Sequence, residues 1–302
     1  MNEPQHIKYV ITSQRDLDWG IIVKTVGNQT IGAGETYPPR SDEGGHPSRY
    51  LFRPETGRIL DEYQLIYLAE GSGEFSSAST GRRKIRVGKG DAFLLFPGEW
   101  HSYHPDADSG WKEYWIGFDG DIPDGWLAKG HIEKEKPVFH AGVEPGGIAA
   151  LYERGFSLAI EQGAGYQQVL GSIAVMLVSA VIFNDRNSLY RHSGTENLAA
   201  RARSVISEDI AGITPEKLAE RLGLNYSKFR RIFKGYTNIT PGQYILEMKV
   251  ARAKELLTNT SHQIQEISWE VGFDNPDYFV TMFKRVTGVK PSEYRRVTTM
   301  SS

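Results

Sequence analysis

The chain has no cysteine among its 302 residues. This absence excludes disulfide bonds, thiolate metal sites and thiol catalysis. Long apolar runs are also missing, since the most apolar stretch, residues 169–183, has 15 residues and includes a glycine and two serines. Such a stretch is too short to span a membrane, and the N-terminal residues lack the apolar segment of a secretory signal. We therefore expect a soluble cytoplasmic protein with no membrane partner.

Positive charge is concentrated toward the C-terminus. Residues 196–302 contain 16 lysines and arginines against 12 acidic residues, whereas residues 1–195 contain 19 against 25. The small net charge of −2 therefore conceals a basic part of +4 and an acidic part of −6. A basic module joined to an acidic one favours contact with nucleic acid at one end of the chain. The length also predicts two domains, each able to bury its own core.

The basic part contains an internal repeat. Five residues of the first copy recur in the second, each displaced by 50 positions: Phe233, Lys234, Thr237, Pro241 and Tyr244 correspond to Phe283, Lys284, Thr287, Pro291 and Tyr294. Upstream, Gly223 and Gly272 recur 49 positions apart. Identities that share one register indicate a duplicated structural unit. The repeat is therefore the main sequence evidence on fold and function.

Each copy has the sequence pattern of a helix-turn-helix unit. In the first copy, Thr214 can cap a helix whose first position is Pro215, and Gly223 ends that helix. Asn225 is then placed to cap a second helix with an apolar inner face. The second copy repeats the pattern, and residues 274–275 offer an aspartate and an asparagine as the cap of its second helix.

The outer face of the second helix in the first copy is cationic. Its exposed positions suit a DNA groove, where phosphates and guanine acceptors attract lysine and arginine. Together with the cap, they form the predicted DNA-binding set of this copy: Asn225, Ser227, Lys228, Arg230, Arg231 and Lys234. The alternative is a solvated basic face, and the repeat argues against it.

The second helix of the second copy has a different outer face. It offers Asp277 and Thr281, with Lys284 and Arg285 only near its end. We therefore predict asymmetric reading, in which the first copy specifies bases and the second mainly holds the phosphate backbone. Three cations beyond the helix would add to this hold on the backbone: Lys290, Arg295 and Arg296.

A single helix is predicted between the two copies, because residues 243–257 have continuous helical spacing of apolar positions. A helix of about 15 residues is roughly 22 Å long. Such a connector would place the two reading helices about one duplex turn apart, in successive major grooves.

Residues 198–297 resemble the tandem helix-turn-helix domain of the AraC/XylS transcription regulators. The most specific segments are residues 267–279, ISWEVGFDNPDYF, and residues 288–295, GVKPSEYR. Ser268 matches a small residue of the family pattern, whereas Thr281 stands where the family usually has an arginine. The resemblance implies double-stranded DNA and the transcription machinery as partners, and no enzymatic activity.

Residues 20–120 have the features of a small β-barrel or jelly roll, with short apolar strands between glycine and proline corners. Residues 63–68 form one predicted strand, and the glycine-rich residues 70–75 form a turn that leads into the next. Residues 71–118 resemble the cupin-like sensor domain of sugar-responsive AraC-type regulators. The residues that carry this resemblance are Gly90, Asp91, Pro97, Gly98, His101, Trp111 and Trp115.

The resemblance to sugar sensors implies an effector pocket in this domain. Matching to these relatives puts Tyr103, Glu113 and Trp115 on or near the pocket, with Arg53, or less favourably Arg58, to complete it. A saccharide requires aromatic faces and a few polar groups, because its C–H face stacks while its hydroxyl groups need hydrogen-bond partners. The alternatives are core packing for the aromatic residues and a surface position for Arg53.

A metal site is not expected in the predicted barrel. A metal-binding cupin supplies two closely spaced histidines and a carboxylate from an early strand, but residues 63–68 contain no histidine. His101 and His104 alone make a poor site, and we interpret them as turn histidines. The sequence therefore predicts no metal, no cofactor and no catalytic residues.

Residues 144–184 return to helical spacing, in two segments broken near residues 163–165. The second segment, residues 166–183, has a broad apolar stripe. A stripe of this width packs on the barrel, contacts a second copy of the chain, or does both. We expect a homodimer through this segment.

The combined prediction is an α+β protein of two domains. Residues 1–185 form a cupin-like effector-binding and dimerisation domain with two trailing helices, residues 186–197 form a linker, and residues 198–302 form an all-α DNA-binding domain. The predicted function is sequence-specific transcription regulation, with activation of carbohydrate-use genes by a saccharide bound in the barrel. The alternatives are a repressor, a sensor of a non-sugar metabolite, and a cupin enzyme with a DNA-binding tail.

Overall fold

The structure is a computed structural model that describes residues 6–38, 52–143, 147–188 and 197–299. The chain divides into two compact units, Met1–His192 and Ser193–Ser302. Of the predicted linker, residues 186–188 continue a helix and residues 189–196 lie outside the described residues. The first unit is rich in antiparallel sheet and the second is helical, which confirms the predicted fold class.

Nine antiparallel strands are described in the first unit. They are β1 (His6–Tyr9), β2 (Ile22–Ile31), β3 (Arg58–Ile59), β4 (Tyr63–Ser77), β5 (Ile85–Gly88), β6 (Asp91–Leu95), β7 (Trp100–Pro105), β8 (Trp111–Asp119) and β9 (Val138–His140). One path of neighbours runs β1-β2-β8-β4-β6-β9, while β4 also pairs with β5 and β7, and β7 pairs with β3. The interior side of these strands carries an apolar cluster that includes Phe75, Phe93 and Trp111.

The long strand β4 corrects one sequence prediction. Its first half pairs with β6 and its second half with β7, so the predicted turn at residues 70–75 is wrong. The glycines there permit close contact between backbones instead. A Cβ atom on Gly71 would lie 2.1 Å from the carbonyl oxygen of Gly110, and one on Gly73 would lie 2.2 Å from that of His104. Glycine is the residue that leaves room for such an approach.

Strand β8 divides its side chains between two cores. Tyr114 and Ile116 point to the helices outside the sheet, whereas Trp111 and Trp115 belong to the interior cluster. Successive side chains of a strand point to opposite faces. The same alternation therefore places Glu113, which is 2% exposed, on the interior side with the two tryptophans.

Four helices are described in the first unit: α1 (Gln14–Leu17), α2 (Asp121–Ala128), α3 (Ile148–Glu161) and α4 (Tyr166–Ser188). Helices α3 and α4 pack together on the outer face of the sheet, and the predicted break near residues 163–165 lies between them. Helix α4 runs five residues beyond the predicted end at 183. Asn184 donates to the carbonyl of Ala141, and Asp185 accepts from the backbone N–H of His140 next to it, each at 2.8 Å.

Helix α4 has 23 residues, and by length and composition alone it could cross a membrane. This corrects the prediction of a stretch too short to do so. Its buried side chains, among them Leu170, Ala174 and Leu177, fill the core between the helix and the sheet. The core helix of a soluble protein passes the same test of length and composition, so one such helix is weak evidence for a membrane span.

Seven helices are described in the second unit: α5 (Leu198–Glu208), α6 (Pro215–Arg221), α7 (Tyr226–Thr237), α8 (Pro241–Asn259), α9 (Ile264–Glu270), α10 (Pro276–Thr287) and α11 (Pro291–Thr299). Thr214 caps α6 and Asn225 caps α7, as the sequence predicts. Asn275 rather than Asp274 caps α10. The connecting helix α8 has 19 residues rather than 15, which corresponds to about 28 Å.

The 50-residue repeat in the sequence corresponds to a repeated set of contacts. The Thr237 hydroxyl donates to the carbonyl of Phe233 at 2.7 Å, and the Thr287 hydroxyl donates to that of Phe283 at 2.8 Å. Each threonine also accepts from the backbone N–H two residues later, which closes the turn after the helix. The repeated phenylalanine and tyrosine meet edge-on in both copies. Because both helix-turn-helix copies make these contacts, the residues that make them recur at one constant spacing of 50 positions.

Gly272 brings the two helix-turn-helix units into contact. Its φ is +79°, and a Cβ atom there would lie 2.2 Å from the carbonyl oxygen of Ala211, which precedes α6. From the connecting helix, Lys249 donates to the Gly272 carbonyl at 2.8 Å. Burial lowers the pKa of Lys249. The turn of the second helix-turn-helix copy is therefore held against both the residues that precede α6 and the connecting helix α8.

We expect Thr287→Val to lower the free energy of unfolding by about 1 kcal/mol, because the turn after α10 loses its hydroxyl hydrogen bonds. Thr281→Val is the matched control. The Thr281 hydroxyl is exposed and bonds only to the carbonyl of Asp277 on its own helix. Urea unfolding of the full chain would measure both changes, and equal losses would contradict a special role for the turn.

Candidate effector pocket and DNA-reading surface

A cavity lies inside the N-terminal sheet. Its lining mixes aromatic rings with amide, carboxylate and guanidinium groups. The lining residues are Tyr9, Thr25, Gln29, Tyr37, Pro38, Phe52, Arg58, Gln64, Ile66, Tyr103, Glu113 and Trp115. Tyr103, Glu113 and Trp115 were predicted from the sequence to lie at the pocket, and the structure brings all three together there. The space open to the centres of water-sized molecules is about 30 Å³.

Glu113 is the carboxylate of this cavity. Its Oε1 atom accepts from the side-chain amide of Gln29, and both of its oxygens face the Tyr37 hydroxyl, at 3.1 and 3.4 Å. Burial raises the pKa of Glu113 to about 7, while the bonds from Gln29 and Tyr37 oppose that shift. A carboxyl group in this state exchanges easily between accepting and donating hydrogen bonds near neutral pH.

Arg58, and not Arg53, supplies the guanidinium of the cavity. Its terminal nitrogen Nη2 donates to the Tyr103 hydroxyl and to Gln64 Oε1. The guanidinium also lies over the ring of Phe52, 4.6 Å from its centroid. Arg53 is exposed in the preceding turn, where its carbonyl accepts from Gly57, and it does not line the cavity. The difference arises because β3 begins at Arg58, and its pairing with β7 turns that side chain inward.

His101 holds Arg58 in place. Its Nδ1 atom lies 3.1 Å from the carbonyl of Glu99, and Arg58 Nε donates to its Nε2 atom at 3.3 Å. Burial and the neighbouring Arg58 lower the pKa of His101 to about 3, so the ring is neutral at physiological pH. The imidazole is thus a fixed acceptor inside the sheet rather than the turn histidine predicted from the sequence.

His104 does not join His101. It lies near Glu74, with 3.7 Å between His104 Nε2 and Glu74 Oε2, whereas His101 faces the interior. Residues three apart on a strand point to opposite faces. Among the described residues, no three histidine, aspartate or glutamate side chains come together in a way that would hold a metal ion.

Sequence reasoning missed several pocket residues. Thr25 and Gln29 lie on β2, two positions before and two after Gly27. The alternation of side chains along this strand could have predicted that both point into the cavity. Gln64 sits in the predicted strand at residues 63–68 and was overlooked as an inward polar residue. Tyr37 lies outside any strand, and nothing in its local sequence indicates that it reaches Glu113.

The predicted base-reading residues lie on the outer face of α7. Phe229 and Phe233 fill the core of the first helix-turn-helix copy, which leaves the polar positions exposed: Ser227, Lys228, Arg230, Arg231 and Lys234. The Asn225 side-chain oxygen accepts from the backbone N–H groups of Ser227 and Lys228. Only its amide N–H groups therefore remain for contact with another molecule.

The outer face of α10 has fewer cations. Asp277, Thr281, Lys284 and Arg285 are exposed, with both cations in the last turn. Arg295, which the sequence placed among the backbone-holding cations, bonds instead to the carbonyls of Leu257 and His262, at 3.2 and 2.7 Å. We therefore assign Arg295 a structural role at the end of α8.

Both units match known family models. Residues 46–177 match the AraC-like ligand binding domain, and residues 218–297 match a helix-turn-helix domain. The chain belongs to the AraC family of DNA-binding transcription regulators. This confirms the predicted family, and it also confirms that the protein is a regulator and not an enzyme.

Several regulators are similar to this AraC-family chain. The raffinose operon transcriptional regulatory protein RafR of Pediococcus pentosaceus is 28% identical over 244 residues, which covers 79% of this chain and 86% of that protein. The MmsAB operon regulatory protein of Pseudomonas aeruginosa is 28% identical over 261 residues, 78% and 76% of the two chains. The transcriptional activator RhaS of Escherichia fergusonii is 28% identical over 126 residues, 40% and 45% of the two chains.

The raised pKa of Glu113 gives a prediction for stability. Its proton is held more tightly in the folded chain than in the unfolded one, so this group makes folding less favourable as pH rises from about 4.5 to about 7. Between about pH 5 and about pH 8, we expect the free energy of unfolding of the wild type to fall by on the order of 3 kcal/mol more than that of Glu113→Gln. Urea unfolding at both pH values measures this difference.

Glu74→Gln is the matched control for Glu113→Gln. The hydrogen bond from Lys84 lowers the pKa of Glu74 below its ordinary value of 4.5. Above that pH, the carboxylate is ionised in both the folded and the unfolded chain, so its contribution to stability no longer changes with pH. The pH dependence of this variant should therefore equal that of the wild type in the same range. Equal pH dependence for the wild type and Glu113→Gln would contradict the raised pKa.

Proposed function

We propose that this regulator activates a carbohydrate-use operon in the cytoplasm when a saccharide binds in the cavity of the N-terminal unit. The similarity to RafR, whose name assigns it to a raffinose operon, supports a carbohydrate effector. The partial similarity to the activator RhaS supports activation rather than repression. As an activator, the chain would contact the transcription machinery.

The chemistry of the cavity favours a saccharide, and the observation that carries this proposal is the polar set around Glu113. Glu113 accepts hydrogen bonds, Arg58 donates them, and Gln64 does both. Sugar hydroxyl groups require such mixed partners. The rings of Tyr103 and Trp115 offer faces for the sugar C–H groups.

A non-sugar metabolite is the second candidate effector. The MmsAB operon regulatory protein matches this chain over a similar length, and its name includes no sugar. Arg58 in the cavity could pair with a small carboxylate. Screening carboxylates beside saccharides separates the two candidates.

We expect one or more saccharides to raise the melting temperature of the full chain. A compound that binds only the folded state at 100 times its Kd stabilises that state by about 2.7 kcal/mol. The screen covers mono-, di- and trisaccharides, including raffinose, their phosphates, and small carboxylates. Glu113→Ala should abolish the shift, whereas Glu74→Ala, on the other side of the sheet, should keep it. If only carboxylates shift the melting temperature, the saccharide proposal is wrong.

We propose that the two helix-turn-helix units read DNA asymmetrically. Helix α7 presents four cations along its exposed face, whereas those of α10 are confined to its last turn. Base-edge contacts then come mainly from α7, and α10 mainly contacts phosphates. The described geometry of both helices supports this division.

Two arginine variants test the asymmetry. Arg231→Ala should relax the sequence preference at particular base pairs, at a cost of about 1–3 kcal/mol for the preferred site. Arg285→Ala should weaken all sites alike and lower the salt slope by about 1. Arg252→Ala is the control, because Arg252 pairs with Glu255 on α8. Binding-site selection that finds equal information under both helices would contradict the proposal.

We propose that the chain forms a homodimer through α4. One face of this helix packs on its own sheet, but Val169, Met176 and Phe183 remain 46%, 57% and 65% exposed. These residues are spaced by seven, and exposed serines lie between them at positions 172 and 179. Residues seven apart lie on one stripe of a helix, and small serines between them let a second helix approach this stripe closely.

Met176→Glu should shift the chain from dimer to monomer, because a buried unpaired charge at the centre of this stripe is strongly unfavourable. Ile160→Glu is the matched control, since Ile160 is also 57% exposed but lies on α3. Sedimentation equilibrium measures both. A dimer that survives Met176→Glu, or a wild-type chain that is monomeric at all concentrations tested, would overturn this proposal.

A further inference from the structure

The Tyr37 side chain reaches into the cavity from the segment that follows β2. Its hydroxyl faces both oxygens of Glu113, and its ring lies in a cage of three aromatic rings. The ring centroids of Phe52, Tyr103 and Trp111 lie 6.1, 5.9 and 5.4 Å from that of Tyr37. Burial and the nearby Glu113 raise the pKa of Tyr37 well above its ordinary value, so the phenol remains a hydrogen-bond donor.

The Tyr37 side chain occupies the cavity in the way that a bound ligand would. A phenol offers a ring that packs against aromatic faces and a hydroxyl that donates to a carboxylate, which are the two features expected of a saccharide in this cavity. With Tyr37 in place, about 30 Å³ remains for the centres of water-sized molecules. That space suits a water molecule, and a sugar ring needs far more.

A second donor lies beside the Tyr37 ring. Trp111 is 2% exposed, and its indole N–H has no hydrogen-bond partner among the described residues. A buried donor in this state is unfavourable. Removing the Tyr37 ring, which meets Trp111 edge-on, would open space next to this donor for a polar group.

We propose that Tyr37 is an internal competitor of the effector: its phenol occupies the subsite for an effector hydroxyl at Glu113, and the effector binds by displacing it. This inference rests on the proposed function, in which the effector binds in this cavity. Displacing Tyr37 moves the segment of residues 32–38, which is tied to the rest of the unit by the bond from Gly34 N–H to the Ala107 carbonyl at 2.8 Å. Binding is thereby coupled to a change at the surface of the unit.

The absence of cysteine provides a test that does not require the effector. An introduced thiol is the only one in the chain, so its reaction rate reports on access to its position. Ile66 lines the same cavity as Tyr37 and is 1% exposed, and Ile66→Cys therefore places a buried thiol in the wall of this cavity. The probe is methyl methanethiosulfonate, and mass spectrometry of the full chain follows the labelling.

We expect Tyr37→Phe to accelerate labelling of Cys at position 66 by about tenfold, because the loss of one hydrogen bond raises the population of the displaced state by that factor. Tyr37→Ala should accelerate it further. Tyr67→Phe is the matched control, since its hydroxyl donates to the Gly142 carbonyl at 2.9 Å on the helix-facing side of the sheet. Thr25→Cys, a second cavity position with a side chain of similar size, should give the same order of rates.

Two results would overturn the inference. If Tyr37→Phe leaves the labelling rate unchanged at both thiol positions, the hydroxyl does not hold Tyr37 in place. If Tyr67→Phe accelerates labelling as much as Tyr37→Phe does, the rate reports general opening of the unit. Either result leaves the melting screen with saccharides unaffected. Conversely, accelerated labelling together with an absence of any saccharide shift would support displacement while contradicting the proposed effector class.

Discussion

The alternation of side chains along β8 is the constraint on which the N-terminal unit depends. Tyr114 and Ile116 attach the sheet to α3 and α4, while Glu113 and Trp115 line the cavity from the same strand. A slip of one residue in the pairing of β8 would put a carboxylate against the helices and an isoleucine into the polar cavity. The stability of the unit and its binding chemistry are therefore fixed by one register.

Removing polar groups of the interior from water is unfavourable, and hydrogen bonds from the surrounding groups offset this. A buried carboxyl and a half-buried guanidinium lie in one small space, and each is held by a neutral partner: Gln29 for Glu113, and His101 for Arg58. Neutral partners satisfy the hydrogen bonds without neutralising the charges. The cavity thus keeps a donor end and an acceptor end, a polarity that a direct ion pair would remove.

Sequence patterns predicted the helical unit better than the barrel, for physical reasons. Caps such as Asn225 act on neighbouring backbone groups, so their signal is local. Gly71 misled the prediction, because glycine marks close backbone contact as well as turns. Helix α4 extends beyond its apolar stretch, where Asn184 donates to the carbonyl of Ala141, the residue after β9. Tyr37 and the choice of Arg58 over Arg53 depend on tertiary contacts that no local pattern encodes.

The contact at Gly272 has a consequence for how such a regulator can change. The separation of the two helix-turn-helix copies is set by backbone atoms in contact, with no space for a methyl group on Gly272 beside the Ala211 carbonyl. Side chains on the exposed face of α7 can be replaced freely, because none of them takes part in this junction. If α7 reads bases as proposed, substitutions on its exposed face can change the operator preference while the spacing of the two helix-turn-helix copies stays the same.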